Sequence, residues 1–460
     1  MFSLKATKPL HGHWSSPSMM LLAAAGFAVG LKSLWLFPHH LALYGGSAYL
    51  LAYVFFLLVL GVPLLMTQLM LGRLGRASPV SGIANLVRRA HAPRPWRWLG
   101  ALAVLAGFLV LVYLEVVAGW FLAYIVRATS GALKGLTAEG ASSVFTALMR
   151  DPEKQLFWHG LFVVVTLLPL AYGLRAGLER VVKLAVPAIA LLLLLLVGYA
   201  AGSGSFWDSF KYFLRMDISQ LGAEGVLVAL GSAFFSLGLG VGTFMMYGAY
   251  LSGHTPLWRL AMLVPVVSVL AGVLAGTAFF PVLFAGDGIS THGPAMVFQA
   301  LPVAYDALPL GGLMRILLFV LLSLISWVSA LALAEPVLAW MGEQRGMTRL
   351  RATLWLGAVV WVLGALGILS LHLWSFSFTL FGAIRTLGFF DVLVVLTTFV
   401  MLPLVGIGSA LYAGWIIRPE ISRDALVIHS RWAHRVWLWL NRLAIPAMLA
   451  SLFFGFRLFL

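Results

Sequence analysis

Apolar runs of about 18 residues or more recur along nearly the whole chain, divided by short polar connections. Eleven can be marked, at roughly 16–42, 45–72, 97–127, 155–173, 178–201, 221–251, 257–284, 311–341, 351–373, 387–417 and 436–459. A helix that is apolar on every side is buried in protein or faces lipid. The pattern therefore predicts an all-α polytopic membrane protein with eleven spans. Composition agrees: 62% of the 460 residues are hydrophobic, 10% are charged, and the mean hydropathy is +1.00. No polar stretch is long enough for a second domain, so residues 1–460 read as one membrane domain. Residues 128–154, "ATSGALKGLTAEGASSVFTALMRDPEK", form the longest polar connection and are expected as an outer loop. Residues 286–312 are rich in Gly and Pro with two short apolar stretches, and read as a plain loop or a re-entrant hairpin.

Charge changes the picture by its placement. A net charge of +15 suits nucleic acid, but the Lys and Arg residues lie in the short connections and no nucleic-acid motif is present. With the N-terminus inside, 20 of the 30 fall on the inner side, nine on the outer side, and Lys32 on neither. That asymmetry predicts N-inside and C-outside, in what is expected to be a bacterial cytoplasmic membrane. The chain has no cysteine, which excludes disulfides and thiolate metal sites. The opening "MFSLKATKPLHGHW" lacks the pattern of a removable signal peptide.

Spans one and six are interrupted alike. The first holds "GFAVGLKSLWLFP" (26–38), with Gly26, Gly30 and the polar pair Lys32–Ser33; the sixth holds "FFSLGLGVG", with Ser236, Gly238, Gly240 and Gly242. Glycine weakens a helix, and a break survives in a membrane only where protein or a water-filled cavity satisfies the freed backbone. Broken helices at corresponding places in two halves point to a transporter's binding site. "GVLAG" (272–276), which has no polar residue, reads instead as close helix packing. "GLGVG" has no preceding strand and is rejected as a dinucleotide loop.

These segments, with "YGGSAYLLAYVFFLLVLGVPLLMTQLMLGR" (44–73), "GLERVVKLAVPAIALLLLLL" (177–196), "ALGSAFFSLGLGVGTFMMYGAY" (229–250) and "FFDVLVVLTTFVMLPLVGIGSALYAGW" (389–415), resemble the neurotransmitter:sodium symporter family over nearly the whole chain. The resemblance implies a LeuT-type fold: two inverted five-helix repeats, about 16–201 and 221–417, plus an extra helix at about 436–459. It implies sodium-driven uptake of amino acids or related amines, with substrate between helices 1, 3, 6 and 8. Carried onto this chain, the substrate positions are Phe27, Ala28, Gly30, Leu31, Lys32, Val110, Leu114, Phe235, Ser236, Gly238, Val241, Ser329 and Leu333. The cation positions are Gly26, Ala28, Val29, Ser33, Ser236, Ile325 and Ser329. His11, Trp14, Tyr250 and Glu343 correspond to the inner gate.

The departures carry as much information as the match. Lys32–Ser33 stands where the family has Gly-Asn. The resemblance places further cation ligands at Val264 and Val328, which offer no side-chain oxygen, so weak sodium sites are expected. The substrate-binding tyrosine of helix 3 is Leu114. The outer ion pair becomes Leu36 and Val394, and the acidic residue of helix 2 becomes Gln68.

A lysine at the centre of a membrane helix costs roughly 2.5–3.5 kcal/mol on insertion scales. It reaches water along a cavity, pairs with an acid for structural reasons, or serves the site. In the last case its ammonium replaces the first sodium ion and meets a substrate carboxylate. A buried lysine can also release and rebind a proton, which makes Lys32 a coupling candidate. Glu115, in the middle of span three, is the second: either a coupling carboxyl or a packed, hydrogen-bonded one. Glu335 is expected near the inner gate, Asp391 as a helix cap, and His39 and His40 at the outer surface. No nucleophile triad, metal cluster or phosphate loop supports an enzyme, and no cofactor is expected beyond a coupling ion. The partners expected are a small-molecule substrate and membrane lipid. A secondary transporter of an amino acid or related small zwitterion or amine, with reduced or no sodium dependence, leads; a conventional sodium-coupled amino-acid symporter and a non-transporting sensor of the same fold remain alternatives.

Overall fold

The computed structural model describes residues 12–251, 255–285, 294–371, 374, 376–380 and 383–459; the side chains of Lys32, Trp35, Phe284, Ala285, Ser451 and of 378–386 and 453–459 lie outside that description. Nine helices among the described residues are long and apolar enough to cross a membrane. The first expected span is a broken pair, α1 (Pro17–Ala28) and α2 (Leu31–Leu43). Then follow α3 (Ser47–Gly75), the short amphipathic α4 (Pro79–Arg89), α5 (Trp98–Thr129), α6 (Ala138–Met149), α7 (Pro152–Ala171), α8 (Glu179–Ala201) and α9 (Phe206–Leu214). The sixth expected span is α10 (Ile218–Phe235) and α11 (Thr243–Ala249) with a break between them. The rest comprises α12 (Leu257–Ala285), α13 (Leu301–Asp306), α14 (Gly311–Arg345), α15 (Arg349–Ser370), α16 (Phe389–Ile416), α17 (Pro419–Leu426) and α18 (Arg431–Phe459).

Local chemistry sets the two breaks. Ser16 caps α1, its Oγ accepting from Met19 N–H at 3.1 Å, and Pro17 at the first helical position costs no hydrogen bond. The helix stops at Val29 and Gly30, whose backbones leave the helical region, and α2 restarts at Leu31. In the second break Gly238, Gly240 and Gly242 hold φ of +66°, +93° and +79°. Left-handed backbone on alternate residues is what glycine alone adopts cheaply. The restart of the chain after α2 is stitched to the start of α10: Ser47 N–H donates to Arg215 O (2.9 Å) and Asp217 N–H to Gly45 O (3.1 Å).

The buried centre is α14, packed along α5, with the broken helices beside it. Gly272 and Gly276 of α12 leave room for the rings of Phe37 and Phe213, the packing role expected of "GVLAG". The connection at 128–154 is not a plain loop but carries α6. In the connection at 286–312, residues 286–293 lie outside the described residues; the remainder forms a π turn (Met296–Ala300) and α13, fastened by an Asp306–Arg315 ion pair at 3.0 Å. The ninth span ends at Ser370, and its expected tail gives way to an antiparallel hairpin, β1 (Phe376–Leu380) with β2 (Ala383–Leu387), Phe376 opposite Leu387.

Candidate substrate and cation site

The two breaks meet. The Phe27 ring fills the space beside Gly238, where a Cβ would lie 2.7 Å from Cε1, and stands edge-on to Phe244 with centroids 5.6 Å apart. Around this contact Ala28, Val241 and Leu333 are buried, Leu114 is nearly so, and Gly30, Val110 and Phe235 are half-buried. Phe235 stands edge-on to Phe399 of α16. Leu31 lies in the first turn of α2 together with Lys32, whose side chain is outside the described residues. Leu36 and Val394 are half-buried and apolar, so the expected outer ion pair has no charges to form it.

Oxygen donors gather at the break of the first helix. Ser268 Oγ of α12 donates to Ala28 O at 3.1 Å, and Tyr53 of α3 donates to Ser236 Oγ at 2.7 Å. Sequence reasoning missed Ser268. Val264 is buried and apolar as expected, but Ser268, one helical turn further along the same face, brings a hydroxyl to Ala28 O, a carbonyl of the first expected cation position. Ser33 is buried nearby. At the second expected cation position Ser329 Oγ is buried with no hydrogen-bond partner among the described residues, an oxygen whose lone pairs suit a hard cation. Its neighbour Val328 instead presses a methyl towards Gly26, where a Cβ would lie 3.0 Å away. Gly26, Val29 and Ile325, the other expected residues there, have no side-chain oxygen to offer. The residues at the first position therefore fit a hard cation through Ala28 O, Ser33, Ser236 and Ser268, and those at the second fit it less well. Gln68 Oε1 accepts from Gly240 N–H at 3.4 Å inside the sixth-helix break, while its Nε2 has no partner among the described residues.

One end of this region is closed by Trp14. Its indole N–H donates to Tyr247 O (3.1 Å), its backbone N–H to Tyr250 O (3.3 Å), and its ring packs edge-on against Tyr247 and Tyr250. Ser15 N–H adds a bond to Glu179 Oε1 at 2.9 Å. Tyr250 donates not to Glu343 but to Glu335 Oε1 (2.6 Å), and Glu335 is the ion-pair partner of Arg349. Glu343 instead accepts from the Ser78 backbone N–H (2.7 Å) and hydroxyl. His11 lies outside the described residues.

Glu115 is placed elsewhere. It follows Leu114 by about 100° of helical rotation, and its carboxyl turns to Thr166 of α7 rather than to the broken helices. Oε2, Thr166 Oγ1 and both ring nitrogens of the fully buried His159 lack hydrogen-bond partners among the described residues. His159 was not singled out in the sequence; its spacing of seven from Thr166, two turns of one face, was the available signal. His39 and His40, expected at the outer surface, are both half-buried, and His40 has ring neighbours. It is wedged among Tyr44 and Tyr49 with Nδ1 3.3 Å from the Tyr49 hydroxyl. Asp391 caps α16, accepting from Gly388 N–H at 2.9 Å. No metal cluster is present among the described residues.

Residues 11–139 and 154–452 match the family model described as the sodium:neurotransmitter symporter family. The chain belongs to that family. It is similar to the "Uncharacterized sodium-dependent transporter YhdH" of Bacillus subtilis (strain 168), at 30% identity over 96% of each chain. An "Uncharacterized sodium-dependent transporter" of Haemophilus influenzae is 26% identical over 96% of this chain and 97% of its own. Among solved structures, MhsT in complex with L-phenylalanine superposes with a TM-score of 0.84 at 31% identity, covering 96% of this chain and 99% of that one. As a member of this symporter family the chain is an integral membrane secondary transporter, and not an enzyme.

Proposed function

We propose that this family member carries an amino acid, or a related small zwitterion or amine, by alternating access, with sodium dependence reduced or absent because Lys32 takes the place of one sodium ion. The observation that carries the reading is the meeting of the two breaks at Phe27 and Gly238, with Lys32 in the first turn beyond one of them. A cation on the first turn sits at the positive end of the half-helix dipole, which disfavours it unless an anion is near. A substrate carboxylate is such an anion. The surrounding Phe27, Val110, Leu114, Phe235, Val241 and Leu333 suit an apolar substrate side chain, and MhsT, the similar structure, holds L-phenylalanine. Trp14, Tyr250 and Glu335 form the gate on the cytoplasmic side in this reading, and two inverted repeats supply the rocking units. The setting is a bacterial cytoplasmic membrane with the N-terminus inside.

A second reading, sodium-coupled symport, is favoured by the Ser268 hydroxyl on Ala28 O and by the unpartnered Ser329 Oγ. In it Ala28, Ser33, Ser236 and Ser268 hold one ion, and Gly26, Val29, Ile325 and Ser329 a second. The relatives described as sodium-dependent support it. Uptake into proteoliposomes from a panel of amino acids and amines, with sodium and pH gradients imposed separately, decides. The first reading expects accumulation that changes little when sodium is replaced by choline. Uptake that collapses in choline establishes the second, and binding without flux under any gradient leaves the sensor.

A further inference from the structure

Two cavities lie outside the candidate substrate and cation site, and they adjoin through Trp96 and Tyr412. The first, about 460 Å3, lies between the end of α3, α4 and the corner from α16 to α17. Its basic lining is Arg73, Arg76, Arg89 and Arg418, with His91 beside them, against the single acid Asp424. None of Arg76, Arg89 and Arg418 has an ion pair among the described residues. Deeper in, Arg73 is 4% exposed; its two terminal nitrogens donate to Ala425 O (2.9 Å) and Thr255 O (2.7 Å), and its Nε has no partner among the described residues. The hydroxyl of the fully buried Tyr412 likewise has none among them, and both residues line the cavity. Buried donors without acceptors are rare in native proteins and call for an unseen ligand or water.

The second cavity, about 550 Å3, is an apolar groove along the first turns of α5, lined by Trp96, Trp98, Leu99, Leu102 and Leu105. Trp98 and Leu105 are exposed on the flank of this membrane helix, so the groove faces lipid. The Trp96 ring meets the Tyr412 ring edge-on at 5.6 Å, which joins the groove to the basic cavity.

We propose that the pair of cavities binds one anionic phospholipid, its phosphate among the arginines and an acyl chain along the groove. Guanidinium groups suit phosphate oxygens, and several on one cavity need an acceptor with many lone pairs. A free phosphate would satisfy the arginines but leave the groove without an occupant. A zwitterionic headgroup would bring its own cation towards a basic wall. Basic pockets at the cytoplasmic face of membrane helices recognise acidic headgroups in this way, and the charge asymmetry of the chain puts the basic cavity there. Bound lipid would also brace α17, which Arg73 ties to α3 through Ala425.

The test is native mass spectrometry on the detergent-purified full chain, offered phosphatidylglycerol, phosphatidylcholine with the same acyl chains, or inorganic phosphate. One phosphatidylglycerol should be retained about tenfold more strongly than phosphatidylcholine. The double variant Arg89→Gln/Arg418→Gln, at exposed positions without ion pairs, should lose that preference while keeping its unfolding midpoint. Leu105→Gln should weaken retention of lipid alone. Equal retention of the two lipids, or a preference unchanged in the double variant, overturns the site. Phosphate that displaces phosphatidylglycerol at equal concentration and ignores Leu105→Gln overturns the lipid in favour of a soluble anion. If the double variant does not fold, the comparison of the three probes on the parent chain still decides.

Discussion

At the residue scale, the consequences concentrate on Lys32 and Ser268. A charge-assisted hydrogen bond to a bound carboxylate contributes about 1.5–3 kcal/mol, so Lys32→Met should weaken binding of a carboxylate substrate by roughly ten- to a hundredfold. Scintillation proximity binding across a pH series measures this. A variant that binds and transports like the parent at every pH makes Lys32 structural. Ser268→Ala removes the hydroxyl from Ala28 O and should cost about 0.5–1.5 kcal/mol of stability, read as a lowered midpoint in a thermal scan. If sodium coupling operates, it should also raise the sodium concentration needed for half-maximal uptake. The contrast between these residues shows how far the chain could be read directly. A lysine in an apolar run announces itself, because its cost in lipid demands a reason. A serine in such a run does not, since a hydroxyl can always bond back along its own helix. His159 and His40 were hidden for a similar reason: only packing shows that Gly364 leaves room for one ring and that tyrosines enclose the other.

At the element scale, both interrupted helices were legible because glycines clustered with polar residues inside long apolar spans. Their geometry now assigns a task to each glycine. At Gly240, with φ of +93°, a Cβ would stand 2.8 Å from Leu402 O. Gly240→Ala should therefore lose about 1–3 kcal/mol through backbone strain alone, whereas Gly198→Ala, inside α8 with open space around it, should be neutral or gain up to about 1 kcal/mol. Thermal midpoints of the two variants in one detergent give the comparison. The β1–β2 hairpin was not anticipated, although "FSFTL" alternates with period two; its partner "AIRTL" does not. Both strands lie almost wholly in the connection between the expected spans 351–373 and 387–417, where five alternating residues are a weak signal. Asp217, which caps α10, carries the pH argument. Its carboxylate accepts from the Ser219 hydroxyl and the N–H groups of Gln220 and Ser219, which hold its pKa below the ordinary carboxylate range. A depressed folded-state value means that this stabilisation is complete above the unfolded value of about 3.9 and is lost as pH falls through the folded one. Between pH 5 and pH 3 the midpoint of the parent should fall further than that of Asp217→Asn, whose amide oxygen caps without titrating. Equal slopes would assign the acid limb to other carboxylates.

At the scale of the whole molecule, long apolar runs and the order of family-like segments placed the helices to within a few residues, because hydrophobic length is dictated by the bilayer. Orientation follows from a weaker signal, the 20 basic residues against nine, which a structure without a membrane does not carry. It can be settled by chemistry, since the chain has no cysteine to interfere. Arg88 at the end of α4 and Lys134 beyond α5 are both exposed and bracket one 32-residue helix, about 48 Å long at 1.5 Å per residue. That exceeds the hydrocarbon core of about 30 Å, so the two positions must emerge on opposite faces. Arg88 shares its connection with Arg73, Arg76, Arg89, Arg94 and Arg97, the densest basic stretch in the chain, and such stretches stay cytoplasmic. In intact cells a membrane-impermeant maleimide should therefore label Lys134→Cys and leave Arg88→Cys untouched until the membrane is opened. The reverse pattern would invert the molecule, turn the Trp14 gate outward, and place the arginine cavity against the leaflet that faces away from the cytoplasm. Labelling of both positions in intact cells would mean that α5 does not span, and the transporter reading would lose its central helix.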